Sequence, residues 1–214
     1  MKKEIKELLV YLIGMAILGL GLSLSTKLSL GTSALVALPY SVSKVYNLNF
    51  GNITLIYYIA FIIVQIIMHI IMKKYKDITG DLLQIIISLI LTRYLNLLGN
   101  LIPMLDSINI YIRILLYLLP ITLIGVGVSL AVKTKYPPNP TNGFIKTTSE
   151  FMKKDLGLIK NKTDIILVVI TCIFSFISSN KIIGVGIGTI MAMLGVGRVI
   201  YYFNKTIGKG ILEK

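Results

Sequence analysis

Gly19-Leu20-Gly21-Leu22-Ser23-Leu24 recurs 106 residues later as Gly125-Val126-Gly127-Val128-Ser129-Leu130, and Lys27 is matched at the same offset by Lys133. Each hexapeptide sits in a long apolar run, Leu8–Leu24 and Ile114–Val132. Four further runs follow the same pattern: Ile53–Met72, Leu82–Leu98, Ile165–Ser179 and Ile182–Phe203. A helix crosses the roughly 30 Å hydrocarbon core with about 20 mostly apolar residues. Lipid offers no partner to an open backbone amide, so each run is read as a transmembrane helix. The composition agrees, with 55% of 214 residues apolar, 14% charged and a mean hydropathy of +0.84. A soluble domain carries about a quarter charged residues. These values exclude a soluble globular enzyme and a disordered chain. Cys172 is the one cysteine, which excludes an internal disulfide scaffold, and no Cys/His spacing suggests zinc.

The repetition extends beyond the hexapeptide. Asn52-Ile53-Thr54 resembles Asn161-Lys162-Thr163 at an offset of 109, Gly80 pairs with Gly184 at 104, and Arg93 with Arg198 at 105. Half of the chain is 107 residues, so the offsets describe two repeats, 1–107 and 108–214, each reading span, loop, span, span. Three spans is an odd number, so the second copy enters the bilayer the opposite way round. The expected fold is therefore an all-α integral membrane protein of six transmembrane helices, arranged as two inverted three-helix repeats. Many secondary transporters are built this way.

Charge fixes the orientation. With the N-terminus inside, sixteen lysines fall on the inner side, against Lys27, Lys44, Arg113 and Lys181 outside. That asymmetry places both termini in the cytoplasm. The formal charge of +13 then reads as lysines flanking helix ends, where they meet anionic lipid headgroups rather than nucleic acid. Lys2, Lys3 and Lys6 before the first run resemble a signal-peptide n-region. The run is long and no A-x-A site follows it, so it is read as an uncleaved span.

After the first span of each repeat comes a loop and a short apolar helix. In the first repeat Leu28-Ser29-Leu30-Gly31-Thr32-Ser33 leads into Ala34–Tyr46, with Pro39 inside it. In the second, Tyr136-Pro137-Pro138-Asn139-Pro140-Thr141-Asn142-Gly143 leads into Phe144–Lys154. A segment of this length is too short to span and suits a re-entrant or interfacial helix. Two readings stand side by side: a half-helix whose free N-terminal amides receive a polar or anionic group, or a headgroup-level amphipathic helix that seals the bundle.

Gly125-x-Gly127 within a span, Pro140-Thr141-Asn142-Gly143, then Gly184-Val185-Gly186-Ile187-Gly188-Thr189 and Gly195-x-Gly197 resemble the YczE/YyaS/YitT family of small bacterial multispan membrane proteins. The resemblance covers most of the chain, the first half through Leu30-Gly31-Thr32-Ser33. That family shows Pro-x-Asp-Gly where this chain has Pro140-Thr141-Asn142-Gly143; Asn142 keeps the capping ability and drops a negative charge. The resemblance implies a multispan plasma-membrane protein with a transport role and supplies no substrate.

Arginine inside a span usually faces a cavity or a partner. Arg93 and Arg198 occupy equivalent spans and together would hold an anionic substrate by bidentate bonds; the competing reading is snorkelling, with Tyr201 and Tyr202 as interfacial anchors beside Arg198. Asp81 and Asp164 stand at span entrances, where they complement a helix N-terminus. His69 is read as interfacial. The glycines from 184 to 197 are read as close packing within one helix, with a partly unwound helix as the other reading. No nucleophile–base arrangement, paired intramembrane carboxylates, cofactor motif or metal cluster is present, so no enzyme is expected.

The functional expectation is a small-solute transporter with a central site between the inverted repeats, the solute anionic if the arginines bind it. The proposed lining is Thr32, Ser33, Arg93, Asn139, Asn142, Thr189 and Arg198. Two alternatives remain open: the substrate-capture subunit of a vitamin-type importer with an energising partner subunit, and a non-transport scaffold or lipid-interacting protein, monomeric or homo-oligomeric.

Overall fold

A computed structural model of the chain describes residues 2–206. Its helices are α1 (Lys2–Lys27), α2 (Ala34–Val45), α3 (Phe50–Ile71), α4 (Ile78–Leu101), α5 (Ile110–Leu116), α6 (Leu118–Val132), α7 (Pro140–Met152), α8 (Leu156–Ser179) and α9 (Ile187–Thr206). Six spans are long and apolar enough to cross a membrane, α5 and α6 together forming one of them. The protein is a helical multi-pass membrane protein. Lys209, Lys214 and the C-terminus, counted above for orientation, lie outside the described residues.

The spans keep their expected order, and their ends move for identifiable reasons. Helix α8 starts nine residues before the apolar run because Asp155 caps it, accepting from the Leu158 amide at 3.0 Å. Asp164 therefore lies inside the helix rather than at its entrance. The fourth span breaks at Tyr117, just before Pro120, which has no amide to offer the preceding turn. The sixth begins only at Ile187, so Gly184 and Gly186 precede the helix instead of packing within it. The partly unwound reading of this segment is the one the backbone adopts.

The helices pack in exchanged pairs. Helix α2 lies against α3 and α8, while α7 lies against α8 and α3; α1 packs on α4 and α6 on α9; α1 and α6 cross each other directly. The same exchange holds residue by residue. A Cβ built on Gly21 would meet Ile124, and one built on Gly127 would meet Leu18. These are one pair of positions swapped at an offset of 106. Gly19 packs on Leu91 and Tyr94, and Gly125 on Val196 and Val199, each partner shifted by 105. Glycines let these helices approach closely, which is how association is driven where lipid removes the hydrophobic incentive. The N-caps Asn49 and Asp155 are also 106 apart, each accepting an amide at 3.0 Å. The resemblance of Asn52-Ile53-Thr54 to Asn161-Lys162-Thr163 is thus out of register with the helices that carry it.

At the end where α1 stops and α3 starts, two non-helical segments interlace. The Thr32 amide donates to the Gly184 carbonyl at 2.9 Å, and the Gly188 amide donates to the Leu30 carbonyl at 2.7 Å. Tyr117, fully buried, donates its hydroxyl to the Gly31 carbonyl at 3.0 Å. Gly31 and Gly184 hold φ of 89° and 88°, a region that L side chains disfavour. There is no room for more: a Cβ on Gly184 would meet the Ala37 carbonyl oxygen at 2.9 Å, and one on Gly31 would run into the Gly186 amide.

Candidate functional site

The opposite end of the bundle is open. A cavity of about 830 Å³ is lined from the middle of α1 (Leu18, Leu22) to the ends of α3, α6 and α9. We call its mouth the basic end, since Lys76, Lys135 and Lys146 border it. Lys135 pairs there with Glu4 at 3.3 Å and Lys74 with Glu150 at 2.6 Å. The Lys74 ammonium holds the Glu150 carboxyl below its ordinary range. At Gly80, which the sequence pairs with Gly184, an added Cβ would meet nothing within 4 Å. The glycine at the end that is sewn shut and the glycine at the open end thus differ in the space around them.

Both short helices start at this cavity. Ser33, Ala34, Leu35 and Val36 of α2 line it, as do Asn139, Thr141 and Asn142 of α7. Pro140 at the first position of α7 costs no hydrogen bond there, and the Asn139 side chain accepts from the Asn142 amide at 3.4 Å while donating to the Thr141 hydroxyl at 3.1 Å. Ser33 occupies the equivalent N-cap of α2 without a side-chain capping bond. The walls between them are apolar: Leu18, Leu22, Ile124, Val128 and Val196.

Polar groups are grouped on the wall in three sets. Gln65 and Gln84 pair their amides at 3.1 and 3.3 Å, and Gln65 also donates to the Pro140 carbonyl at 3.2 Å. His69 Nδ1 and Asp81 Oδ2 are 2.6 Å apart, with the Thr147 hydroxyl 3.4 Å from His69 Nε2. His69 is only 6% exposed, so it is a buried partner of a carboxylate and not an interfacial residue. Asp81 answers that histidine, beyond any service to the N-terminus of α4. On α8, Lys160 Nζ and Asp164 Oδ2 form an ion pair at 2.7 Å. The Tyr58 hydroxyl lies beside Asn139.

Three of the expected lining residues, Ser33, Asn139 and Asn142, do meet at the cavity. Thr32 and Thr189 do not. Each is fully buried in the interlaced end, where Thr32 shares a hydrogen bond with Ser25 at 2.7 Å and Thr189 accepts from the Gly186 amide at 3.2 Å. Arg93 and Arg198 are exposed on the outer surface of α4 and α9, away from the cavity. The structure thus does not bring the two arginines together at the cavity with the other expected lining residues. The residues missed were Gln65, Gln84, Tyr58 and Lys160. Gln65 and Gln84 are amides inside otherwise apolar runs, which was the available signal.

A second, shallower pocket of about 190 Å³ lies at the closed end, bordered by Ser23, Lys27, Tyr40, Lys44, Asn96 and Asn100 among others. Adding 106 to Ser23, Tyr40 and Lys44 gives Ser129, Lys146 and Glu150, which all line the large cavity. Among the described residues no group of His, Cys, Asp or Glu is arranged to hold a metal ion.

Comparison with known proteins bears on the family. The chain is similar to the uncharacterized protein YyaS of Bacillus subtilis (strain 168), 23% identical over 204 residues that make up 95% of each chain. No solved structure matches it. The match to DUF6198, a family of unknown function, runs over residues 5–205, from the first turns of α1 to the last turn of α9, and the chain therefore belongs to that family.

Proposed function

We propose that the protein is a small-solute transporter of the plasma membrane, made of two inverted repeats that enclose a central site and expose it alternately to the two sides. The observation that carries the reading is the 830 Å³ cavity flanked by the starts of both short helices, open at one end and shut at the other. Pockets that hold a small organic ligand fall in this range, with mostly apolar walls and a few placed polar groups. The exchanged packing of α2 on α8 and α7 on α3 supports inversion, because a two-fold axis in the membrane plane would produce it. On this reading α2 and α7 are re-entrant, dipping to the bilayer centre from opposite sides. The basic end is cytoplasmic by the positive-inside rule, so the state described is open inward.

The closed end supports alternation as well. Its small pocket is bordered by positions equivalent to those of the large cavity, as two mouths of one site would be. In the outward-open state the seam of Leu30, Gly31, Thr32 and Gly184 would part. The space beside Gly80 would fill. Rocking of one repeat against the other does both at once.

The test is flux. Full-length protein reconstituted into liposomes loaded with a defined mixture of amines, carboxylates and neutral solutes is expected to release one class faster than empty liposomes do, read by mass spectrometry of the outer solution. Release of no class above the protein-free rate would remove the transporter reading.

A further inference from the structure

Resting on that solute reading, we infer that the central cavity takes a solute bearing a protonated amine, received by the Asp164 carboxylate. The inference starts from which buried polar groups lack a partner. Asp164 is 2% exposed and lines the cavity. Its Oδ2 is engaged by Lys160, but its Oδ1 is buried and has no hydrogen-bond partner. An ionised carboxylate only accepts, and it has lone pairs for more than one donor. A bare buried carboxylate oxygen therefore asks for an N–H or O–H donor and repels an anion.

Of the other charged groups around the cavity, Asp81 is taken by His69, Glu150 by Lys74 and Lys135 by Glu4, while Lys76, Asp77 and Lys146 stand exposed at its basic mouth, where water serves them. Lys160 is the exception that helps: its side chain is 20% exposed, and its second acceptor, the Met193 carbonyl, is at 3.5 Å. A lysine so loosely held on its far side already places one ammonium on Asp164. A solute ammonium on Oδ1 would complete the carboxylate with a second charge-assisted bond, stronger than a neutral donor would give. The Ser129 hydroxyl, buried without a partner, lines the same cavity and is a further acceptor within it. Leu18, Leu22, Ile124, Val128 and Val196 would surround an apolar remainder.

Three probes of nearly one shape separate the chemistries: 2-phenylethylamine, 2-phenylethanol and 3-phenylpropanoate. A ligand that binds only the folded state raises its unfolding midpoint. In purified full-length protein the amine is expected to raise the midpoint in a concentration-dependent way, the alcohol and the carboxylate much less. Asp164→Asn is expected to weaken the amine at least about tenfold, and Lys160→Met, which removes the resident ammonium, to strengthen it. Should neither variant fold, the ranking of the three probes on the unaltered protein still decides. Stabilisation by the carboxylate in preference, or an amine effect unchanged in Asp164→Asn, would overturn the assignment. A flat response to all three would overturn it as well. The liposome flux measurement judges the solute reading on its own, whatever this ranking gives.

Discussion

Alanine at Gly184 and alanine at Gly80 should have opposite effects, although the sequence pairs the two glycines at an offset of 104. At Gly184 the backbone has φ 88°. An L-residue there costs roughly 1–2 kcal/mol. The new methyl would also press on the Ala37 carbonyl oxygen at 2.9 Å, a backbone atom that cannot rotate aside. At Gly80, in the first turn of α4, the methyl meets nothing within 4 Å. Replacing glycine by alanine in a helix gains roughly 0.5–1 kcal/mol. The two variants are then about 1.5–3 kcal/mol apart before any clash is counted. For a chain of this size 1 kcal/mol moves the midpoint by about 2–4 °C, so the separation is on the order of 5–10 °C. Thermal unfolding of both variants in one detergent reads it directly. Equal midpoints, or the Gly80 variant melting first, would refute the argument that one end is sealed and the other open.

Three further outcomes follow from the same geometry. Thr189→Val leaves the Gly186 amide without its acceptor and should cost about 1–3 kcal/mol of stability; because Thr189 does not reach the cavity, the amine-induced rise in midpoint should keep its size. Asp81→Leu strands the buried His69 and should also cost about 1–3 kcal/mol, and a double-mutant cycle with His69→Leu should show a cost well short of additive. Glu150 has its carboxyl pulled down by Lys74, so its contribution is fully present above the ordinary carboxylate range and lost as pH falls through the folded value; Glu150→Gln should lower the midpoint near pH ~7, and by progressively less as the pH is brought down below the ordinary carboxylate range, as melting curves across that span would record.

Much of this architecture was legible because glycine in a membrane helix has a packing purpose. Gly19, Gly21, Gly125 and Gly127 sit where helices touch, so the recurring hexapeptide marked packing positions. The two short helices announced themselves by length and by the turn residues before them, although α7 starts at Pro140 with Asn139 as its cap, earlier than the Phe144 start read from a cap at Thr141 or Asn142. What stayed hidden was partner choice. Nothing in the run around Arg93 tells which face of α4 turns outward, since leucine and isoleucine serve lipid and protein interior alike. Thr32 and Thr189 looked like ligands because hydroxyls beside glycines suit a polar solute, yet the same pairing suits a backbone crossing with amides to satisfy. Hydropathy also missed the true start of α8. The charged stretch from Lys160 to Asp164 reads as a loop until the lysine and aspartate are seen to neutralise each other one turn apart.

Alternation between two mouths is what the functional reading stands on, and spin-label distances across both mouths test it most directly. In a Cys172→Ser background, one labelled pair spans the small pocket, Lys44→Cys with Asn100→Cys. The other spans the cavity mouth, Lys146→Cys with Asn204→Cys. In liposomes, with and without 2-phenylethylamine, the two distance distributions should shift in opposite directions, one pair opening as the other closes. Distances that stay fixed at both ends, or that lengthen together, would contradict it.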